Sequence, residues 1–207
     1  MVQKSKQYIH TLILGAALLG LSACNKPAPP LDADSSQSGT DWPFYNGNPF
    51  GTHYSTLDQI NTQNVKDLKV AWTFDSGDAF GEGLRQSEGN PMVVRGKMYF
   101  VSPKGRLFCL DASTGKKQWV FDPANGEEIN TNQRLRGVSY WGEGNSERIL
   151  FTFKSSLMAV DAKTGKLISD FGVDGKVDLR EGLGRDTSSV FVAEVSPGVV
   201  FKDLIIL

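Results

Sequence analysis

The sequence predicts an all-β protein that is built from repeated four-stranded antiparallel sheets. Residues 106–121 (RLFCLDASTGKKQWVF) and 156–171 (SLMAVDAKTGKLISDF) share one pattern at an offset of 50 residues. No segment after residue 40 carries apolar side chains at the 3.6-residue spacing of an amphipathic helix. Repeats of about 40–50 residues with four strands each are typical of propeller blades, so we expect a partial β-propeller.

Each copy of the repeat consists of a strand, the turn Asp-Ala-x-Thr-Gly-Lys and a second strand. We expect the carboxylates of Asp111 and Asp161 to accept backbone N–H bonds within this turn. Gly115 and Gly165 supply the positive φ that closes a short hairpin. Trp119 follows its glycine by four residues and is predicted to pack between neighbouring sheets.

Short apolar runs bounded by turn residues predict further strands around the two repeats. They are residues 69–74, 92–94, 97–101, 148–154 and the hairpin 198–207. Residues 69–74 stand alone ahead of the first blade, as expected for a strand that completes the last blade of a ring, and residues 61–68 predict one short helical turn. Because a propeller needs about four to eight blades, we expect the N-terminal part of a larger ring, with about two blades plus the start of a third.

The first 23 residues have the features of a secretory signal. Lys4 and Lys6 precede an apolar run, residues 9–21, that is too short to span the roughly 30 Å hydrocarbon layer. The sequence Leu-Ser-Ala-Cys that ends at Cys24 resembles a bacterial lipobox, which implies cleavage before Cys24 and lipidation of its thiol. An ordinary secretory signal that contains a cysteine is the alternative. Residues 24–40 then form a proline-rich flexible tether, and the folded part covers residues 41–207.

Charge and composition exclude several classes of protein. The net charge of −1 argues against nucleic-acid binding, which usually needs a basic excess. Two histidines and two cysteines are too few for a zinc cluster or a disulfide framework. His53 is the only histidine after the signal, so a Ser-His-Asp site or a histidine-based metal site is not expected. Cys109 lies in an apolar run and is predicted to be a buried small side chain.

The repeats resemble the tryptophan-docking motif of quinoprotein dehydrogenases, A-x-D-x-x-T-G-K-x-x-W, whose cofactor is pyrroloquinoline quinone (PQQ). The first copy departs from it only at Cys109, which takes the place of the alanine, and the second has Ser169 where the tryptophan belongs. The resemblance implies an eight-bladed scaffold. Similar repeats occur in propellers without a cofactor, so a non-catalytic lipoprotein scaffold of the outer-membrane assembly type is the alternative function.

Three segments outside the generic repeat are similar to PQQ-dependent glucose and alcohol dehydrogenases. They are residues 41–55, 88–91 (EGNP) and 136–141 (RGVSYW). His53 replaces the arginine that is usual in the first of them. With these segments, the resemblance extends almost continuously over residues 41–207 and implies the N-terminal part of such a dehydrogenase, in its lipoprotein branch.

The resemblance implies that Glu88 and Arg136 contact the cofactor. PQQ is a tricarboxylated orthoquinone, and an arginine fork binds a carboxylate or quinone oxygen at two points and stays protonated. The alternatives are a solvated turn carboxylate for Glu88 and a surface-loop arginine for Arg136. No catalytic residue and no metal ligand is expected within the chain, because the family's Ca²⁺ ligands and proton-accepting aspartate come from later blades.

The implied reaction is oxidation of a CH–OH group in an aldose, polyol or alcohol, with hydride transfer to PQQ. Ca²⁺ polarises the quinone, and a quinone or cytochrome accepts the electrons. Residues 130–135 lack the cysteine pair of the alcohol-oxidising branch, which favours a sugar or polyol. The 207-residue chain is expected to be inactive by itself. Asn25, which follows the lipidated cysteine, favours a periplasm-facing protein anchored in the outer membrane of a Gram-negative bacterium.

Overall fold

The computed structural model describes residues 40–78, 88–127, 134–143 and 145–207. Within them, the strands form two four-stranded antiparallel sheets and one two-stranded hairpin, which confirms the predicted all-β class. The predicted signal peptide, Cys24 and the tether up to residue 39 lie outside the described residues. None of the helices in the described part of the chain has the length and apolar character needed to cross a membrane.

Both sheets are meanders in which strands that follow each other in the chain are neighbours in space. The first sheet contains β1 (Met92–Val94), β2 (Lys97–Val101), β3 (Leu107–Asp111) and β4 (Lys117–Phe121). The second contains β5 (Ser139–Glu143), β6 (Ser146–Phe153), β7 (Ser156–Asp161) and β8 (Lys176–Asp178). The hairpin pairs β9 (Val199–Phe201) with β10 (Leu204–Ile206), as predicted, and a one-turn 3₁₀ helix covers Val65–Asp67.

The repeated turns have the predicted hydrogen bonds. One carboxylate oxygen of Asp111 accepts the backbone N–H groups of Ser113 at 3.1 Å and Thr114 at 2.9 Å, together with both hydroxyls. These bonds from Ser113 and Thr114 hold the pKa of Asp111 below its ordinary value. Asp161 accepts the equivalent backbone bonds in the second sheet.

Trp119 packs between the two sheets, as predicted. Its indole lies against Gly165, where an added Cβ would stand 2.6 Å from Cδ2 of the ring, and its Nε1 donates to the carbonyl of Ala162 at 3.2 Å. Gly165 has φ +71°, which an L side chain rarely adopts. The turn therefore requires glycine for two reasons: its positive φ, and the contact with the indole of Trp119, which leaves no room for a Cβ.

Trp72 makes the same contact one sheet earlier. Its ring lies against Gly115, and its Nε1 donates to the carbonyl of Ala112 at 3.2 Å. However, residues 69–74 do not form the predicted strand, since they pair with no strand among the described residues. A strand is defined by its ladder of hydrogen bonds, and the apolar run alone does not supply a partner. Trp72 nevertheless contacts Gly115 in the same way as Trp119, which belongs to strand β4, contacts Gly165.

The second repeat departs from prediction after its turn. The predicted strand up to Phe171 is reduced to a single bridge between Leu167 and Val160. Instead β8 pairs with the first half of β7, in the register Ser156↔Asp178 to Met158↔Lys176. Ser169 stands where the first repeat has Trp119, so no indole holds this segment against a following sheet.

Two apolar clusters account for the packing. The larger lies between the two sheets and contains buried side chains of both, with Trp119 and Phe121 against it. The smaller is formed by Leu150, Leu157 and Ala159, and the hairpin covers it with Val200 and Ile205. Cys109 is fully buried, as predicted, and burial raises the pKa of its thiol to about 11, so the thiolate is disfavoured.

Candidate functional site

Glu88 and Arg136, which are 48 residues apart in the sequence, lie together in the structure. Glu88 precedes the edge strand β1 by four residues, and Arg136 precedes the edge strand β5 by three. The Nε atom of Arg136 is 3.6 Å from Oε2 of Glu88. The fold therefore brings the two residues for which cofactor contact is predicted to one place, at the ends of the sheets where β1 and β5 begin.

Backbone contacts fix the segment that carries Arg136. Its carbonyl accepts the N–H of Asn90 at 2.7 Å, and its own N–H donates to the carbonyl of Val195 at 3.0 Å. A Cβ on the neighbouring Gly137 would stand 3.1 Å from both Tyr45 and Pro197. Four separate segments thus meet around Arg136, and the backbone there has little room to shift.

Sequence reasoning missed Arg134, which also contacts Glu88. Its Nη1 atom is 3.4 Å from Oε1 of Glu88. Leu135 packs against the apolar cluster between the sheets. In an extended segment, alternate side chains share a face, so Arg134 and Arg136 stand together on the side away from the core. The pattern Arg-Leu-Arg was the available signal, but it does not reveal the carboxylate partner.

The three charged side chains form a cluster with one excess positive charge, which we call the Glu88 cluster (Glu88, Arg134 and Arg136). The side chain of Glu88 is 21% exposed, whereas those of Arg134 and Arg136 are 63% and 47% exposed. Both ion contacts are longer than the 2.7–2.9 Å of a strong charge-assisted hydrogen bond. The guanidinium groups therefore keep donors toward solvent, where they can bind a carboxylate or a polarised oxygen.

A buried ion pair anchors the segment that precedes the region around Glu88. Asp78 is 3% exposed and accepts a hydrogen bond from Nε of Arg106 at 3.1 Å. Arg106 also donates to the carbonyl of Ser76 and lies over the ring of Phe108. Because Asp78 is buried and Arg106 is held by its carboxylate, a backbone carbonyl and an aromatic ring, we assign this pair a structural role.

A second polar group of residues lies between the sheets at the opposite ends of the strands, around a cavity of about 240 Å³. Its cations are Arg95, Lys97 and Lys163. The guanidinium of Arg95 pairs with the buried Glu147, and the backbone N–H of Arg95 donates to the carboxylate of Asp41 at 3.0 Å. The Arg95 charge there is therefore paired with a carboxylate, while Nζ of Lys163 donates to the carbonyl of Asn145 at 2.9 Å.

No group of three or more His, Cys, Asp or Glu side chains within the described ranges is arranged to hold a metal ion. His53 is exposed, its N–H donates to the carbonyl of Asn46 at 3.0 Å, and its ring Nδ1 is 3.0 Å from the carbonyl oxygen of Gly51. These contacts give His53 a place in a local turn.

Comparison with known proteins points to one family. Residues 42–207 match the model of the PQQ glucose/ethanol/alcohol dehydrogenase β-propeller domain, which confirms the predicted partial propeller. The quinoprotein glucose dehydrogenase of Escherichia coli (strain K12) is 33% identical over 96% of this chain and 28% of that protein. Quinoprotein glucose dehydrogenase A of Acinetobacter calcoaceticus is 31% identical over 81% of this chain and 24% of that protein.

A solved structure is similar as well. The quinohemoprotein alcohol dehydrogenase from Comamonas testosteroni superimposes with a TM-score of 0.64 and 28% identity, over 85% of this chain and 25% of that one. The chain thus spans about a quarter of the length of the relatives that it matches.

Proposed function

The chain belongs to the family of PQQ-dependent glucose/ethanol/alcohol dehydrogenase β-propellers, and we propose that it supplies part of the cofactor site of such an enzyme. The observation that carries the proposal is the Glu88 cluster, in which two arginines of one segment meet a carboxylate of another just ahead of strands β1 and β5. The enzyme would oxidise a CH–OH group of an aldose, polyol or alcohol.

The residues present fit PQQ chemically. A tricarboxylated ligand needs positive charge, and the cluster offers two guanidinium groups against one carboxylate. Gly89 and Gly137, which follow Glu88 and Arg136, are packed closely by the protein itself, since a Cβ at either position would stand 3.1–3.2 Å from its nearest neighbours. The donor set and the tight packing of the segments that carry it therefore support cofactor binding at this place.

Each residue has a separate task in this proposal. PQQ, when bound, accepts the hydride of the substrate. The backbone of Arg136 is held by hydrogen bonds at both its N–H and its carbonyl, and its guanidinium offers two parallel donors to an oxygen of the ligand. Glu88 orients that guanidinium through its ion contact and presents carboxylate oxygens to a ligand N–H. Tyr45 and Pro197 pack on Gly137 and hold the segment that carries Arg136 in place.

Other parts of the proposal concern the whole protein. The Ca²⁺ ligands, the proton-accepting aspartate and the site for a quinone or cytochrome acceptor would lie outside this chain. The absence of cysteine from residues 130–135 and the likeness to two glucose dehydrogenases favour a sugar or polyol substrate. The relatives named above are dehydrogenases, which favours the enzyme over the non-catalytic scaffold.

We also propose that the protein is lipid-anchored through Cys24, in the outer membrane and facing the periplasm. The support is the Leu-Ser-Ala-Cys sequence and the tether that follows it. Metabolic labelling with a radioactive fatty acid should label the wild type and the Cys109→Ala variant but not Cys24→Ala. Equal labelling of all three would contradict the anchor.

Titration of the intact protein with PQQ tests the cofactor proposal. We expect Arg136→Ala to weaken PQQ binding by about 1.5–3 kcal/mol, the value of a charge-assisted hydrogen bond, which is tenfold or more in Kd. Quenching of intrinsic tryptophan fluorescence gives the Kd without any enzyme assay. Arg180→Ala is the matched control, because Arg180 pairs with Asp178 beside the outermost strand β8. An unchanged Kd in Arg136→Ala would contradict the cofactor contact and would leave Arg136 as a surface-loop arginine.

A further inference from the structure

We propose that Arg134 is a second carboxylate-binding residue of the cofactor site, acting beside Arg136 on a ligand carboxylate. This inference rests on the proposed function and extends it to a residue for which neither the repeat motif nor the family resemblance indicated a role. Its basis is that both guanidinium groups contact the same carboxylate, Glu88, from two positions on one segment.

The first step is the geometry of the two contacts. Arg134 approaches Oε1 of Glu88 through Nη1 at 3.4 Å, and Arg136 approaches Oε2 through Nε at 3.6 Å. Each arginine thus uses one edge of its guanidinium group on its own oxygen. Because both oxygens belong to one carboxylate, the two guanidinium groups lie at one place, and each has further N–H donors beyond its contact with Glu88.

The second step is the charge. One carboxylate cannot neutralise two guanidinium groups, so the cluster has one positive charge in excess. Both arginines are accessible to a ligand, since the side chain of Arg134 is 63% exposed and that of Arg136 is 47% exposed. By contrast, the Arg95–Glu147 and Arg106–Asp78 pairs hold their cations one to one. An incoming carboxylate therefore meets a positive charge at the Glu88 cluster that Glu88 alone does not neutralise.

The third step is the rigidity of the segment. Arg136 is clamped by the N–H of Asn90 and the carbonyl of Val195, and Leu135 is anchored in the apolar cluster. The backbone of Arg134 therefore has a fixed position relative to that of Arg136. Its long, exposed side chain can change rotamer. When a ligand carboxylate arrives, Arg134 transfers its contact from Glu88 to the ligand, and Glu88 keeps Arg136 in place.

The experiment compares Arg134→Gln with the wild type in the intact protein, using fluorescence quenching by PQQ and by its trimethyl ester. Because the pair is exposed, we expect Arg134→Gln to raise the Kd for PQQ about threefold to tenfold. The trimethyl ester carries no carboxylate charge, so its Kd should be the same in both proteins. Lys117→Gln, an exposed change on the outermost strand β4, controls for net charge and should leave both Kd values unchanged.

The outcomes separate the two proposals. An Arg134→Gln variant that binds PQQ as tightly as the wild type, while Arg136→Ala binds weakly, overturns the role of Arg134 and leaves the proposed function standing. Equal weakening for PQQ and its ester also overturns it, because the effect would then not come from a carboxylate. A wild type that does not bind PQQ overturns both proposals.

Discussion

Trp119 and Gly165 join the two sheets by a contact that depends on the absence of a side chain at residue 165. Replacing Trp119 by alanine removes the ring and its hydrogen bond to Ala162, and we expect a loss of about 3 kcal/mol in the free energy of unfolding. Gly165→Ala should also destabilise, because its Cβ would overlap the indole and its φ is +71°. Urea denaturation measures both effects.

The double variant tests whether the two effects share one contact. Once Trp119 is alanine, the added Cβ at residue 165 meets no indole, so the combined cost should fall below the sum of the single costs. Gly126→Ala is the control, since its φ is also positive, +83°, but nothing lies within 4 Å of an added Cβ. Strict additivity of Trp119→Ala and Gly165→Ala would show that the indole is not seated on the glycine.

The hydrogen bonds that Asp111 accepts predict that the stability of the folded protein depends on pH. Hydrogen bonds from Ser113 and Thr114 lower its pKa in the folded state, whereas the unfolded value is about 3.9. Its contribution to stability is therefore complete above about pH 4 and is lost as the pH falls through the lower folded pKa. Asp111→Asn should flatten the fall of melting temperature below pH 4. Superimposable melting curves of wild type and variant from pH 5 to 2 would contradict this.

At the scale of elements, β8 depends on a tight turn that the repeat does not contain. The chain leaves the sheet after Leu167 and returns through Gly172, where an added Cβ would overlap the backbone carbonyl of Lys176. A backbone carbonyl cannot move aside as a flexible side chain does. The pairing of β8 with β7 therefore requires glycine at residue 172.

We expect Gly172→Ala to release β8 from β7. The backbone amides of β8 should then exchange with deuterium faster, while those of β3 stay protected. Gly182→Ala is the matched control, because Gly182 has φ +78° but no atom within 4 Å of an added Cβ. It should cost only about 1–2 kcal/mol, the strain of a left-handed residue. Equal protection of β8 in both variants would show that the clash is relieved elsewhere.

At the scale of the whole molecule, the hairpin has one covered and one open apolar face. Val200 and Ile205 pack on the second sheet. Their neighbours Val199, Phe201, Leu204 and Ile206 are 42–64% exposed and stand in two cross-strand pairs. Contiguous exposed apolar side chains on a sheet favour association.

The 207-residue polypeptide should therefore self-associate with increasing concentration. Leu204→Lys combined with Ile206→Lys places two charges on the open face and should shift the protein toward monomer in light scattering after size exclusion. Val70→Lys, at a residue that is 80% exposed away from the hairpin, is the control. A wild type that stays monomeric at high concentration would contradict the prediction.

The sequence alone determined most of the sheets and two of the three residues of the Glu88 cluster. Short apolar runs and the Asp-x-x-Thr-Gly turn are local signals, and they predicted β1 to β4, β6, β7 and the hairpin correctly. The resemblance carried by EGNP and RGVSYW selected Glu88 and Arg136, whose contact with PQQ stays a prediction. Only the tertiary structure decided the rest. It showed that β8 replaces the strand predicted after Lys166, and that residues 69–74 have no ladder among the described strands. It also showed that Arg134 shares the carboxylate of Glu88 with Arg136. These features depend on which segments meet across about 20 residues of chain for β7 and β8 and 46 residues for Glu88 and Arg134, and tertiary packing makes that choice, which no local spacing encodes.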